Sequence, residues 1–341
     1  MADRIGVGFV GAGSIARARH VPGFRAIPGV ELIGVTNRTP ESTRRAAEEF
    51  GFSKTYDNWR DLLDDADVDA VVIATWPYLH APITIAALEA GRHVLTQARM
   101  AMDSQQAEDM LAASLDRPDL VTMVVPAPTS LWADLAILRL LRERTIGELR
   151  TMRLVWGGSA SGGALDPWRR QRRFSGNNVM ALGILYESVS RWLGHAQYVD
   201  ARTENYTPVA RGPDGTEQFD VPDYVAVLAE FPGRIHATLE ISAHATAGNV
   251  NSAVLFGTAG SVRVDFDHRR LEIATPGAPD YQPIALRPEE QRPDWRVEAE
   301  FIGAIRGEEQ VRLTDFATAA RYMAFTDAVH ESAQTGTRVA L

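Results

Sequence analysis

The chain of 341 residues contains no cysteine. Disulfides, thiolate metal sites and a cysteine nucleophile are therefore excluded, and the composition is compatible with a reducing compartment. No apolar run approaches the ~18 residues of a membrane-spanning helix. The opening residues also lack the charged-then-apolar plan of a secretion signal. A soluble cytoplasmic protein with no membrane partner is the expectation. Positive charge is in deficit, with 35 Lys and Arg against 44 Asp and Glu and a formal net charge of −9. Such a balance argues against nucleic acid as a partner. One local exception is the cluster Trp168-Arg169-Arg170-Gln171-Arg172-Arg173. Internal repeats and low-complexity stretches are missing too, and no metal is expected.

What is present begins with Ile5-Gly6-Val7-Gly8-Phe9-Val10-Gly11-Ala12-Gly13-Ser14-Ile15-Ala16. A short apolar run of strand character stops at Gly11, and a helix-competent stretch begins at Ser14. Between them Gly11, Gly13 and Ala16 form Gly-x-Gly-x-x-Ala. Gly11 permits the tight turn, Gly13 lets backbone approach a pyrophosphate, and Ala16 lets the helix lie close on the strand. The helix start offers unpaired N–H groups and a positive dipole end to phosphates. Gly11, Gly13, Ser14 and Ile15 are the expected pyrophosphate residues. A merely structural glycine turn is the alternative.

Further strand and helix signals follow in alternation. Residues 30–35 read as a strand and 40–50 as a helix, joined by Thr36-Asn37-Arg38-Thr39. In a dinucleotide fold this link faces the adenosine ribose, where a carboxylate selects NAD and an arginine accommodates the 2′-phosphate of NADP. Asn37 and Arg38 stand there without a carboxylate, so NADP(H) is preferred and NAD(H) is the second candidate. Residues 69–75 form a continuous apolar strand, and a helix runs through Leu88 and Glu89 to Gly91. Strand 92–96, helix 104–115 and strand 120–125 complete the series. Such alternation specifies an α/β Rossmann domain with a doubly wound parallel sheet. Its ligands gather at the carboxyl ends of the strands. Thr75, Trp76, His80 and Gln97 are thereby placed at the nicotinamide, with Arg99 beside them.

Pro126 and Pro128 mark a change of rhythm, and at this length two domains are the better expectation. Residues 1–126 read as the dinucleotide-binding domain and 127–341 as an α+β domain for substrate and oligomerisation. The second is built on a large, mostly antiparallel sheet with strands at 149–156, 198–206, 224–231, 235–244, 253–256 and 261–266. Helices are expected at 132–144, 294–306 and 315–333, the last packing back toward the first domain.

Laid out in this way, the chain resembles the Gfo/Idh/MocA family of sugar-type oxidoreductases along nearly its whole length. The likeness rests on the glycine loop, on Ala74-Thr75 followed by His80, and on Ala90-Gly91-Arg92-His93-Val94-Leu95. It continues through Thr145-Ile146-Gly147-Glu148, Gly257-Thr258-Ala259-Gly260-Ser261 and the tail Glu331-Ser332-Ala333-Gln334-Thr335-Gly336-Thr337-Arg338-Val339. The resemblance implies a nicotinamide cofactor, a small sugar-like substrate and a homodimer or tetramer paired through the broad sheet. It also implies a Glu-Lys-Pro motif after the fifth strand and an Asp-x-Gly-x-His helix, whose lysine and histidine handle the substrate proton. Here Gln97-Ala98-Arg99 and Ala181-Leu182-Gly183-Ile184-Leu185 stand in those places. Ala98, Ala181 and Leu185 cannot transfer protons.

If a helix begins at Asn177 or Asn178 and runs to Leu193, Ala181, Leu185 and Ser188 share one face, with Asn177 and Asn178 at its open end. Tyr186 and Glu187 flank that face. One reading makes them, with His80, the replacement for acid–base work. The other gives Tyr186 to packing, Glu187 to a salt bridge with Arg169 or Arg191, and His80 to backbone bonds. His244 is assigned to the core or the rim. Arg99, Trp168, Arg169, Asn177 and Asn178 are the candidate substrate contacts, because guanidinium groups suit an anionic or polyhydroxylated ligand. Residues 157–163, with four glycines, read as a segment able to close over the pocket. An NADP-preferring oxidoreductase acting on a sugar, polyol or keto sugar is the leading expectation. A cofactor-retaining lyase or hydratase and a catalytically silent nucleotide-binding protein are the rivals.

Overall fold

The computed structural model describes residues 4–158, 167–212, 215–245, 251–291 and 295–341. They divide into two compact units, Met1–Pro126 with Trp295–Met323, and Ala127–Asp294 with Ala324–Leu341. The division falls between Pro126 and Ala127, and the segment from Trp295 to Met323 returns to the first unit. Among the described residues no helix is long and apolar enough to cross a membrane.

The first unit carries six strands: β1 (Ile5–Val10), β2 (Val30–Thr36), β3 (Lys54–Thr55), β4 (Ala70–Ile73), β5 (His93–Thr96) and β6 (Thr122–Val124). Their order is β3-β2-β1-β4-β5-β6 and every pairing is parallel. Both faces of such a sheet are covered, which is why β1 and β4 are buried at every position. The crossovers are α1 (Val21–Arg25), α2 (Pro40–Phe50), α3 (Trp59–Asp64), α4 (His80–Glu89) and α5 (Ser104–Leu115). A wider, π-type turn, Ala16–His20, precedes α1. The core on one side joins Phe9, Phe24, Phe50 and Phe52 to Val297, Phe301 and Ile302, all from within this unit.

The second unit contains α6 (Asp134–Arg142), β7 (Leu149–Gly157), α7 (Arg172–Ser175), α8 (Leu182–Leu193) and β8 (Tyr198–Glu204). A small hairpin follows, β9 (Val209–Gly212) with β10 (Gly215–Gln218). The chain continues through β11 (Tyr224–Phe231), β12 (Ile235–Ser242), β13 (Ser252–Gly257), β14 (Gly260–Asp265), β15 (Arg270–Thr275) and β16 (Ala278–Pro283). Then come α9 (Val297–Ile305) and the long α10 (Phe316–Thr335), which the division splits at Met323, and finally β17 (Val339–Ala340). Nine described strands form one sheet in the order β16-β15-β14-β13-β7-β12-β11-β8-β17. All its pairings are antiparallel except β7 with β12. Alternation sets its faces: Val225, Val227, Ala229 and Phe231 are buried, whereas Leu228 between them is 46% exposed.

Phe301 is fully buried. Phe301→Ala should therefore cost about 3–5 kcal/mol of stability, a buried aromatic truncated in a packed core. Guanidinium denaturation followed by tryptophan fluorescence reads it. A loss below about 1 kcal/mol would mean that α9 is not part of that core.

Candidate functional site

The turn after β1 is set by a close approach. Gly11 adopts φ +83°, and a Cβ on it would stand 2.7 Å from the Ala74 carbonyl oxygen. Only glycine tolerates both conditions. Its N–H donates to the Thr36 carbonyl at 2.8 Å, fastening the loop to the end of β2. Gly13 opens outward: a Cβ there would meet nothing within 4 Å. Ala16 is fully buried, and the Arg17 N–H donates to the Gly13 carbonyl at 3.1 Å, which starts the winding.

Beside this loop lies an open cavity of about 600 Å³. It brings together Gly11, Gly13, Asn37, Arg38, Thr75 and Trp76; Ser14, Ile15, His80 and Gln97 are not on its wall. The Asn37 Oδ1 accepts from the Ala12 N–H at 2.7 Å and its Nδ2 donates to the Ser42 carbonyl at 3.0 Å. Both ends of the amide brace the loop. The Arg38 guanidinium lies 5.5 Å from the Trp76 ring centre. The wall also includes Thr39, Ser42, Arg45, Asp57, Asn58, Trp59 and Tyr78, which the sequence reading missed. For α2 the signal was present, because Thr39 and Ser42 cap its first turn reciprocally and Arg45 lies three residues further along the same face. The open side of Gly13 beside a helix start fits a dinucleotide phosphate chain.

His80 opens α4 and is 1% exposed. Its Nδ1 faces the carbonyl oxygens of Arg99 (3.0 Å) and Met100 (3.2 Å), and its Nε2 faces that of Thr75 (3.1 Å). One ring nitrogen donates to a backbone carbonyl and the other lies against one, setting the ring between the end of β4 and the turn after β5. Burial pushes its pKa below the ordinary histidine value, against the pull of those carbonyl bonds. Arg99 is also buried, at 2% exposure. The Gln97 Nε2 is hydrogen-bonded to the Nε2 of His20, another fully buried residue.

In the second unit α8 starts at Leu182, four or five residues later than expected. Met180 takes φ +43° just before it. The Asn178 Nδ2 bonds back to the Ser175 carbonyl at 2.6 Å. Asn177 is clamped: its Oδ1 accepts from Arg172 at 2.6 Å and its Nδ2 donates to Asp327 at 2.9 Å. Tyr186 is fully buried and stacked on Phe325 at 3.5 Å between ring centres, with its hydroxyl accepting the Ala196 N–H at 2.9 Å. Glu187, 1% exposed, accepts from the Ala127 N–H at 3.0 Å and from Arg191 at 2.9 Å. Arg191 also binds Asp134 at 2.7 Å, and the Trp192 indole donates to that same carboxylate at 2.6 Å. These contacts are those of the packing alternative for Tyr186 and of the Arg191 salt bridge for Glu187.

The arginine cluster is also largely engaged. Arg170 pairs with buried Asp223 at 3.1 Å, and the Arg172 N–H donates to Asp220 at 2.7 Å. Arg169 stacks over Trp168 at 4.3 Å from its ring centre. His244, half exposed, lies 3.1 Å from Asp223. Burial alone would raise the Asp223 carboxyl, but hydrogen bonds from Thr207, Tyr206 and His244 bring it below its ordinary value. Of the glycine-rich segment, Gly157 and Gly158 are described, whereas Ser159, Ala160, Ser161, Gly162 and Gly163 lie outside the described residues. Among the described residues no group of three or more His, Asp or Glu side chains could hold a metal ion.

Two measurements check these placements. Tyr186→Phe leaves the buried Ala196 N–H without its acceptor and should cost about 1–3 kcal/mol of stability. Its kcat should stay within about threefold, because the phenol is not handling a proton; loss of turnover at unchanged stability would restore the catalytic reading. For His80 the sign follows from burial: the unfolded chain binds the proton more readily, so stability is full above about pH 6.5 and declines as pH falls below it. His93 and His330 are lowered by burial in the same direction. His80→Gln should therefore remove part of that decline in urea midpoints between about pH 7.5 and 5.5. Identical profiles would assign the decline to the other two.

Residues 5–125 match the model of the Gfo/Idh/MocA oxidoreductase family, NAD-binding Rossmann fold. Residues 135–263 match the Gfo/Idh/MocA C-terminal domain. Levoglucosan dehydrogenase of Pseudarthrobacter phenanthrenivorans is 28% identical over 303 residues, covering 80% of this chain and 76% of that protein. The 1,5-anhydro-D-fructose reductase of Ensifer adhaerens is 36% identical over 107 residues, about a third of each chain (31% and 32%). Among solved structures, levoglucosan dehydrogenase in complex with NADH and L-sorbose superposes with a TM-score of 0.86 at 24% identity, covering 99% of this chain and 98% of that one. An oxidoreductase domain protein from Kribbella flavida gives a TM-score of 0.84 at 24% identity, with 99% of both chains covered.

Proposed function

The chain belongs to the Gfo/Idh/MocA oxidoreductase family, and from that premise we propose that it oxidises or reduces a sugar, polyol or keto sugar with NADP(H) in preference to NAD(H). The charge of the glycine-loop cavity carries the cofactor choice. Arg38 and Arg45 stand on its wall with Thr39 and Ser42 at the start of α2, and the link after β2 offers no carboxylate. A 2′-phosphate would find two guanidinium groups and the positive end of a helix there. Asp57 is the single acid on that wall. The relative solved with NADH shows that the fold also serves the other cofactor, so the preference is a matter of these side chains.

When bound, the nicotinamide accepts or supplies the hydride. The chain's own residues hold and orient: Gly11 and Gly13 keep the pyrophosphate wall bare, Asn37 braces the loop, and His80 fixes the turn after β5. His80, Tyr186 and Glu187 have their polar atoms committed elsewhere, so we place them in the frame and outside proton transfer. On the substrate side, the stacked Trp168–Arg169 pair suits a polyhydroxylated ring. Relatives named for levoglucosan and 1,5-anhydro-D-fructose support the sugar reading. The outer face of the large sheet carries Arg153, Arg202, Asp200 and Glu240 around Leu228, and its mixed charges suit pairing with a second copy of the chain.

A cofactor-retaining lyase is the second reading, favoured by Ala98, Ala181 and Leu185 at the places where the family keeps its titratable groups. Titration of NADPH and NADH by fluorescence, followed by absorbance at 340 nm across a panel of sugars, polyols and keto sugars, separates the cases. Stoichiometric change in cofactor supports the oxidoreductase; product without net change supports the lyase; tight NADPH binding without turnover supports a silent binding protein. Arg38→Ala and Arg45→Ala should each weaken NADPH about tenfold, the worth of one charge-assisted hydrogen bond, and change NADH less than about twofold. A wild type that binds NADH more tightly than NADPH would overturn the preference.

A further inference from the structure

Four side chains of the first unit form an unbroken line, buried at His20 and Glu298 and half-buried at Trp295 and Gln97, that the proposed function has not used. The Trp295 Nε1–H donates to both oxygens of Glu298, at 3.1 and 2.9 Å. The Glu298 Oε1 meets the His20 Nδ1 at 2.5 Å, and the His20 Nε2 meets the Gln97 Nε2. His20 is 0% and Glu298 2% exposed. Room for the carboxylate is made by Gly23, where a Cβ would stand 2.5 Å from the Glu298 Oε2. On the outer side the Arg19 guanidinium covers the Trp295 ring at 5.3 Å from its centre.

The placed atoms give one order of donors along this line. A carboxylate accepts, so the His20 Nδ1 facing it carries the hydrogen. A neutral imidazole then presents a lone pair at Nε2, and the group facing it must donate. Gln97 satisfies this only with its NH₂ turned inward. Its Oε1 is left as an acceptor, and among the described residues it has no other partner. The Gln97 N–H donates to the Ile73 carbonyl at 3.0 Å, so this acceptor stands immediately after β5, at the carboxyl end of the parallel sheet where such folds take their ligand.

We propose that Glu298 and His20 act as positioning residues that lock the Gln97 amide with its oxygen outward, as an acceptor for an O–H or N–H donor of the ligand at the end of β5. The donor belongs either to the carboxamide of the nicotinamide or to a hydroxyl of the substrate. The assignment rests on the oxidoreductase reading for the ligand, while the lock itself is a property of the protein alone. A glutamate at residue 97 could not donate inward. His20 would then have to carry a proton on each nitrogen, held between two carboxylates.

The test uses the full chain labelled with ¹⁵N-histidine, with the His20 ring identified by its loss in His20→Gln. Wild type should show the neutral Nδ1–H form near pH 7, and Gln97→Glu should convert that ring to the doubly protonated form. An Nε2–H ring in wild type, or no change in Gln97→Glu, overturns the lock. A double-mutant cycle then asks what the lock does. Glu298→Gln and Gln97→Ala should each lower ligand recognition about tenfold, and the double variant should be no worse than Gln97→Ala alone, within about twofold. Multiplying effects would make Glu298 merely structural and overturn the proposal. Loss confined to the dissociation constant of NADPH names the cofactor as donor, and loss confined to kcat/KM names the substrate. If Glu298→Gln does not fold, Trp295→Phe keeps the carboxylate, removes its orienting N–H, and takes its place in the cycle. A wild type that binds NADPH without turnover refutes the oxidoreductase reading, while ring protonation and the cycle on NADPH binding still decide the lock.

Discussion

The distance between the α-carbon of Gly11 and the carbonyl oxygen of Ala74 governs the first unit more than any other. Two parallel strands, β1 and β4, end side by side there, and the chain must turn outward without a side chain in the gap. Because the turn is so tight, the Gly11 N–H reaches Thr36 and the Ala12 N–H reaches Asn37, so the loop is hung on the end of β2. The same geometry leaves Gly13 facing open space. A cavity whose walls come from the ends of β1, β2 and β4 is the direct consequence, and its volume and charge follow from which residues end those strands.

Buried polar residues in both units are used to fix position. In the second unit Arg191 gathers Asp134, Glu187, Ser130 and the Ala127 carbonyl, while Trp192 takes the remaining oxygen of Asp134. Such a knot adds little net stability over an apolar packing of the same shape, because desolvating the charges offsets their attraction. What it supplies is a single arrangement, since removing any member leaves another buried and unpaired. His80 does the equivalent for the turn after β5, its buried ring set between the carbonyls of Thr75, Arg99 and Met100.

This use of titratable groups bears on the chemistry. At the three places where the family resemblance implies proton-handling side chains, alanine and leucine stand instead. The acids and the phenol nearest in sequence to the site helix are consumed inside the fold. On the reading proposed above, recognition of the reacting groups falls to neutral amides, aromatic faces and guanidinium groups, whose effect depends on orientation.

By itself the sequence determined the parallel sheet, the glycine turn and the broad antiparallel sheet, because each is written in local periodicity and in glycine placement. Strand β11 and helices α2 and α5 fall where the pattern of apolar residues puts them. Short elements such as β3 and α3 escaped, since a pattern needs several repeats to declare itself. The later start of α8 also escaped: Asn177 and Asn178 look like caps, yet their amides are taken by Arg172, Asp327 and Ser175. Only tertiary structure decided which polar side chains are free to meet a ligand. Asn37, His80, Tyr186 and Glu187 read as functional in one dimension, but a hydrogen-bond partner up to dozens of residues away claims each of them. No local pattern records such a partner, because it depends on which strand ends come to lie together.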